Sequence, residues 1–185
     1  PMLAVRTVRR ELVLVLGTDR GLCGALNANL FRELVGFDTG RTDFVVCGRK
    51  ARQFLARAGR TIVADFPVSD RVTFLEARRV AKFCLDRFLS GEADRVTVVR
   101  SHFVNTLTQK PMREPLLPIS PVEMFGGGES EVARGLPEGL EYLLEPTPAR
   151  LLDAILPHAF HYRVYAALLD ARASEHSARM VAMKN

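Results

Sequence analysis

The residues whose types and spacing could do chemistry begin with a glycine-rich turn, Gly17-Thr18-Asp19-Arg20-Gly21-Leu22-Cys23-Gly24. Such a turn between a strand and a helix can hold phosphate with its backbone N–H groups. A phosphate loop would end in Gly-Lys-Ser/Thr, however, and Cys23-Gly24-Ala25 stands at that place; a Gly-x-Gly-x-x-Gly sequence is also lacking. The alternative is a tight structural turn in which glycines supply positive φ and Asp19 or Asn27 caps the following helix.

The other reactive side chains do not have the spacing of a metal or catalytic centre. His158 and His161 are i, i+3 but have no acidic third ligand nearby. Cys23, Cys47 and Cys84 form no Cys-x-x-Cys pair, which indicates reduced, buried thiols in a cytosolic setting. A nucleophile elbow and a His-Glu-x-x-His sequence are also missing. We therefore expect no catalytic residue, no metal and no cofactor.

One charged pair in the C-terminal part has the spacing of a helical ion pair. Glu175 and Arg179 are i, i+4, in the order that favours attraction. The pair fits either a solvated helix face or a polar contact surface on a projecting helix, and the sequence leaves both open.

The elements that would position these side chains alternate between strand and helix. Short apolar runs predict strands at 12–16, 44–47, 61–66 and 96–100. Leu26, Leu30 and Leu34 share one face of the first intervening helix, which a left-handed cap at Gly36 should end. The next helices are predicted at 49–58, closed by Gly59, and from Ser69 or Asp70 to Gly91. This alternation implies right-handed crossovers and a mostly parallel sheet. The predicted fold class is α/β, Rossmann-like, with helices on both faces of the sheet.

Residues 105–139 interrupt the alternation with five prolines and Gly126-Gly127-Gly128. We expect a wandering segment there, with one extended piece at 116–119 and a loop near Gly126. A final strand is predicted at 140–144.

The C-terminal stretch predicts a long helix. Thr147 followed by Pro148 is typical of a helix start, and Pro157 should kink or restart the helix. Spacings of three and four define a narrow seam suited to one partner helix, made of Tyr162, Tyr165, Leu169, Ala173, Ser177 and Met180. After Ala171 the seam turns small and polar, so we expect no firm docking on a sheet. The pattern runs uncapped to Asn185, which suggests a chain cut within a longer helix.

Composition excludes several other classes. The 185 residues are 48% hydrophobic and 25% charged, which is typical of one globular domain. No apolar run approaches the roughly 18 to 20 residues of a membrane span. The net charge is +5, yet three Tyr and no Trp give no sign of a base-reading module, so nucleic acid is not an expected partner. The first residues lack the pattern of a secretory signal.

Several segments, in order along the chain, resemble the gamma subunits of F-type ATP synthases. Residues 17–27 resemble that family's SDRGLCGGLN turn, and residues 103–109 are similar to its FVNTMSQ stretch. Residues 173–185 resemble its signature ASEHAARMVAMKNAT, and Tyr142-Leu143-Leu144-Glu145-Pro146 is a weaker match to YLYEP. Together the matches extend over nearly the whole chain.

The resemblance implies a non-catalytic rotor subunit that couples rotation of a membrane ring to ATP synthesis or hydrolysis. The implied parts are a lead-in from a missing N-terminal helix (1–10), the α/β domain (11–146) and the root of a long C-terminal coiled-coil helix (147–185). The implied partners are the epsilon subunit, the alpha/beta catalytic hexamer and the membrane c-ring. The implied location is the cytoplasmic face of a bacterial inner membrane, as a peripheral part of the complex.

The resemblance also implies roles for single residues. Glu175, Arg179 and Met180 would contact the catalytic subunits, and Tyr142 and Glu145 would lie near epsilon and the ring. A structural role is expected for the turn residues Asp19, Arg20, Gly21, Gly24 and Asn27.

Two other classes of function stay open. One is a stand-alone Rossmann-like nucleotide-binding module, which would use the glycine-rich turn. The other is an interaction domain whose terminal helix recruits a partner helix.

Overall fold

The computed structural model of the chain describes residues 2–119 and 148–184. Five strands form one sheet: β1 (Glu11–Leu16), β2 (Thr42–Cys47), β3 (Ile62–Asp65), β4 (Arg95–Phe103) and β5 (Gln109–Leu117). Four helices accompany them in residues 2–119 and 148–184: α1 (Leu26–Val35), α2 (Arg49–Arg57), α3 (Phe74–Leu89) and α4 (Pro148–Lys184). The predicted alternation of strands and helices over the first hundred residues is confirmed.

The sheet has the order β3-β2-β1-β4-β5. Strands β1 to β4 pair in parallel, while β5 pairs antiparallel with β4 from Val96↔Leu117 to Phe103↔Gln109. The central strand β1 is almost wholly buried, as its continuous apolar run predicts. The fold class is therefore α/β with a mostly parallel sheet, as expected.

Each face of the sheet is covered by two helices. Leu30 and Leu34 of α1 and Leu55 of α2 pack on one face. The other face carries α3 and α4, and Phe88 and Phe160 are completely buried there. The prediction of helices on both faces is confirmed.

Strand β5 corrects the expectation of a wandering segment with one extended piece at 116–119. Nine residues are extended, including Pro111 and Pro115. Proline is tolerated here because β5 lies at the edge of the sheet, where an outward-facing position needs no N–H donor.

Helix α1 ends at Gly36 as predicted, but the predicted conformation of Gly36 and the predicted start of α3 are wrong. Gly36 is not left-handed (φ −72°), because arginine side chains bind the last carbonyls of α1: Arg60 donates to Val35 O and Arg113 to Glu33 O. Helix α3 starts after Thr73 rather than at Ser69 or Asp70. Thr73 and Glu76 form a reciprocal capping box that outcompetes those residues.

Helix α4 is continuous for 37 residues and contains Pro157, so the predicted interruption does not divide it. Its buried face holds Leu156, Phe160, Val164 and Leu168. These large side chains all precede Ala171 and lie on a different face from the predicted seam. After Ala171 the buried side chains are small or polar, as expected, but hydrogen bonds of Arg172 and Ser174 still hold this part of the helix to the domain.

Candidate functional site

Helix α4 contacts the carboxyl end of β4. In open α/β sheets ligands bind outside the carboxyl ends of the strands, where the strand order reverses; in this sheet that point lies between β1 and β4. The fully buried Ser174 donates its hydroxyl to the carbonyl of Ser101 near the end of β4 (3.0 Å). The N–H of Phe103 donates to the Asp170 carboxylate (2.9 Å). The chain's own helix thus lies beside the β4 side of this switch point, while a cavity of about 350 Å³ lies at the carboxyl ends of β1 to β3.

The glycine-rich turn depends on close backbone approach. A Cβ at Gly17 would lie 2.7 Å from the Cβ of Ala51, and a Cβ at Gly48 would lie 2.5 Å from the carbonyl oxygen of Gly17. These two glycines let α2 begin directly against the turn. Gly24 has the expected positive φ (+57°), but so has Leu22 (+59°), which the sequence does not reveal.

The expectation that Asn27 caps α1 is wrong. The residue before that helix is Ala25, and no side chain caps it. The Asn27 amide donates instead to the Thr18 hydroxyl (2.9 Å) and to Cys23 Sγ (3.3 Å). Asn27 therefore holds the turn together from within.

Asp19 does not cap α1 either. Its Oδ1 accepts from the backbone N–H of Arg49, the first residue of α2, at 3.0 Å, because the glycine contact brings the start of α2 beside the turn. Arg20 reaches the exposed Asp70 (2.8 Å), and a Cβ at Gly21 would meet open space. Of these turn residues, Asp19 contacts the segments most distant in sequence, at Arg49 and Arg172.

Arg172 joins α4 to the turn. Its guanidinium donates to the carbonyl of Val68, just beyond β3 (2.6 Å), and to Glu175 (2.6 Å). It also lies 3.5 Å from Asp19 Oδ2. The sequence spacing does not indicate that Arg172 contacts Asp19, so the sequence predicts no role for Arg172.

Glu175 is buried, with 3% of its surface exposed, and accepts from both Arg172 (2.6 Å) and Arg179 (2.7 Å). The i, i+4 spacing predicted the pair with Arg179 correctly. Neither a solvated face nor an open polar contact surface describes Glu175, since both carboxylate oxygens are used within the chain. Its implied contact with catalytic subunits stays a prediction, as do those of Arg179 and the exposed Met180.

A second charged cluster ties α4 to the sheet. Asp170 pairs with Arg100 and with His102 Nδ1 (2.8 Å) of β4. Glu114 of β5 accepts from Arg100 (3.1 Å) and Arg163 (2.9 Å). Burial acts to raise the pKa of Glu114, but the two arginines outweigh it and hold the pKa below its ordinary value. Side chains from α4, β4 and β5 are thus joined.

The opposite side of α4 presents apolar side chains to solvent. Tyr162, Leu169 and Met180 of the predicted seam are exposed, and so is Met183 beyond it. Tyr165 is partly buried and lies edge-on to Phe74 of α3 (5.6 Å between ring centres). We call Tyr162, Leu169, Met180 and Met183 the exposed stripe.

Three of the segments that carry the sequence resemblance meet at one groove of about 340 Å³. Its walls are the β1–α1 turn and the β4–β5 loop, and its floor is the end of α4. Its lining includes Cys23, Gly24, Leu26, Leu107, Ala178 and Val181. The segments are far apart in sequence. Pairing of β1 with β4 places the first two side by side, and the docking of α4 adds the third.

The histidine pair on α4 lies beside Arg78. The ring centres of His158 and His161 are 6.4 Å apart. Burial, followed by the charges of Arg78 and His158, lowers the pKa of His161. Within residues 2–119 and 148–184, no three His, Cys, Asp or Glu side chains are grouped to hold a metal ion.

Some expectations lie outside the described residues. These are the predicted strand at 140–144, the cap at Thr147, the loop near Gly126, and the contacts of Tyr142 and Glu145. In the part of the chain that the structure describes, no helix is long and apolar enough to cross a membrane.

Comparison with known proteins agrees with the resemblance. The profile of the family described as ATP synthase matches residues 1–185. An ATP synthase gamma chain of Methylacidiphilum infernorum is 41% identical over 192 residues, which cover 100% of this chain and 64% of the relative. One of Opitutus terrae is 43% identical over 190 residues, again covering 100% and 64%. The chain thus spans 64% of the length of these relatives.

Solved structures share the fold. The central stalk and c-ring structure of the Tetrahymena thermophila mitochondrial ATP synthase superimposes with a TM-score of 0.73 at 20% identity, covering 98% of this chain and 78% of that one. The rotor of the Euglena gracilis enzyme gives 0.70 at 21% identity, covering 96% and 67%. With the full-length profile match and the gamma-chain relatives, these findings show that the chain belongs to the ATP synthase family.

Proposed function

We propose that the chain is the central-stalk part of an ATP synthase. In this role it couples rotation of a membrane ring to ATP synthesis or hydrolysis in a catalytic alpha/beta hexamer, and it has no active site of its own. The observation that carries the proposal is the docking of α4. A helix of 37 residues is joined to an α/β sheet by apolar and ionic contacts while an apolar stripe on its other side is exposed.

Torque transmission needs a stiff connection between a helix and a domain. Phe160, Val164 and Leu168 bury the middle of α4 against the sheet. Asp170 and Arg172 then bind backbone groups at the ends of β4 and β3. Close-packed apolar contacts resist compression, and charge-assisted hydrogen bonds add direction. A twist applied to α4 would therefore move the sheet with it.

The exposed stripe is suited to a partner helix. Large apolar side chains at helical spacing, contiguous on one surface, are typical of an interaction site. In the proposed role, an N-terminal helix of the same subunit covers part of this stripe in an antiparallel coiled coil. Glu175, Arg179 and Met180 would lie where this pair of helices enters the catalytic hexamer.

The end of the domain opposite the proposed hexamer contact would bind the epsilon subunit and the ring. Tyr142 and Glu145 would take part in that contact. The proposed location is the cytoplasmic face of a bacterial inner membrane, as a peripheral part of the complex. The relatives named above are gamma chains of bacteria, which supports this location.

The experiment is assembly with the catalytic subunits of the same source, followed by light scattering on a sizing column. Leu169→Asp on the exposed stripe should weaken incorporation of the full-length subunit. Leu89→Asp on α3 is the matched control, because the two leucines are 42% and 44% exposed. It should assemble like the unsubstituted protein. Equal assembly of both variants, or no assembly of the unsubstituted subunit, would count against the proposal.

The nucleotide-binding alternative makes a different prediction. Saturable, micromolar binding of Mg-ATP that requires Arg20 or Asn27 would favour it. The structure supports this alternative less, because Asn27 is engaged inside the turn by Thr18 and Cys23.

A further inference from the structure

Arg172 is a buried cation that joins two loops to its own helix. Its side chain is 9% exposed. It contacts Val68 after β3, Asp19 after β1, and Glu175 one turn further along α4. The contacts with Val68 and Asp19 lie beyond the carboxyl ends of β3 and β1, and after them α4 still packs on the β1–α1 turn through Ala178.

Each acceptor of Arg172 is itself fixed. Asp19 accepts from the N–H of Arg49 and is thereby tied to the start of α2. Glu175 accepts also from Arg179, whose side chain is largely buried. The result is a continuous chain of charged groups, which we call the latch: Asp19, Arg172, Glu175 and Arg179. It connects the glycine-rich turn to the last three turns of α4.

An intact latch should contribute more to the orientation of α4 than to the free energy of unfolding. A buried ion pair loses hydration energy, and an apolar side chain of similar size is often as stabilising. A planar guanidinium with several fixed acceptors, however, restricts both the rotation and the tilt of its helix. Apolar contact alone is non-directional and allows small sliding motions.

We propose that Arg172 is a positioning residue that fixes the angle between the sheet and the last three turns of α4. At 1.5 Å per residue, the helix from Arg172 to Lys184 is about 20 Å long, so a tilt of about 10° at Arg172 would displace its end by about 3 Å. The mechanical importance of that angle rests on the proposed function, whereas the latch itself does not.

The test is the distance distribution between bio-orthogonal spin labels at the exposed positions 57 and 184 of the chain. Arg172→Leu should broaden this distribution by about 3 Å, because the apolar contacts of α4 remain while the guanidinium that fixes its direction is lost. It should also lower Tm, because the buried Glu175 then keeps only Arg179. Arg172→Lys, which offers one point charge in place of a fork, should give an intermediate width.

The control separates position from stability. Phe160→Leu lies on the same helix and disturbs its core without touching the latch. It should lower Tm but leave the width of the distribution unchanged. The proposal is overturned if Arg172→Leu has the unsubstituted width, or if Phe160→Leu broadens the distribution as much.

A second measurement relates the latch to coupling. In the assembled complex, Arg172→Leu in the full-length subunit should lower the number of ions pumped per ATP hydrolysed. Normal pumping with a broadened distribution would overturn the mechanical role of the latch. Failure of the unsubstituted subunit to assemble would instead count against the proposed function and leave the spin-label result standing.

Discussion

Removing the charge of Glu175 should destabilise the protein strongly. The substitution Glu175→Gln keeps the shape of a side chain that is 3% exposed, but leaves Arg172 and Arg179 with one neutral acceptor. Breaking a buried ion pair from one side costs about 3–5 kcal/mol. Arg172 keeps Val68 and Asp19, and Arg179 can turn toward solvent, so we expect the low end of that range, about 3 kcal/mol.

The assay is thermal unfolding followed by circular dichroism. For a chain of this length, about 3 kcal/mol corresponds to a fall in Tm of roughly 6–12 °C. Asp86→Asn is the matched control. Its partner Lys82 is also at i, i+4 and lies 2.8 Å away, but the side chains are 69% and 59% exposed. We expect less than about 0.5 kcal/mol there. If the Tm of Glu175→Gln lies within about 1 °C of the Tm of Asp86→Asn, burial does not make the loss of the Glu175 charge more costly.

Three further predictions concern single positions. Burial acts to raise the pKa of Glu76, but hydrogen bonds at the start of α3 outweigh it and hold the pKa at about 2. The stability contributed by Glu76 is therefore present above pH 4.5 and is lost as the pH falls toward 2, so Glu76→Gln should lower the urea midpoint at pH 7 and not at pH 2. Burial and then the charge of Arg78 lower the pKa of His161, so Arg78→Gln should raise this pKa in an NMR titration. An unchanged pKa would show that the charge of Arg78 does not contribute to the lowering. Leu22→Gly should stabilise the chain by roughly 0.5–1 kcal/mol in urea unfolding, since Leu22 has φ +59° and is 77% exposed; a loss would show that its side chain makes a needed contact.

The central part of the fold could be predicted because its signals are local. Apolar runs bounded by glycine gave β1 and β2, and the spacing of Leu26, Leu30 and Leu34 gave the buried face of α1. Strand β5 was missed because prolines ordinarily break strands, and only its position at the sheet edge makes Pro111 and Pro115 acceptable.

The site depends on contacts between distant segments. The spacing of Glu175 and Arg179 predicted their ion pair, but burial of Glu175 follows from the docking of α4. Asp19 faces α2 because Gly17 and Gly48 approach each other, which no local pattern reveals. Helix capping was therefore the least predictable feature of the turn.

The measurement that tests the central claim most directly is single-molecule rotation of the assembled complex. The catalytic hexamer would be fixed to a surface and a bead attached to the full-length subunit at exposed position 57. We expect ATP to drive unidirectional rotation of the bead, because α4 and the sheet move as one body. A stationary or randomly moving bead on a complex that still hydrolyses ATP would contradict it.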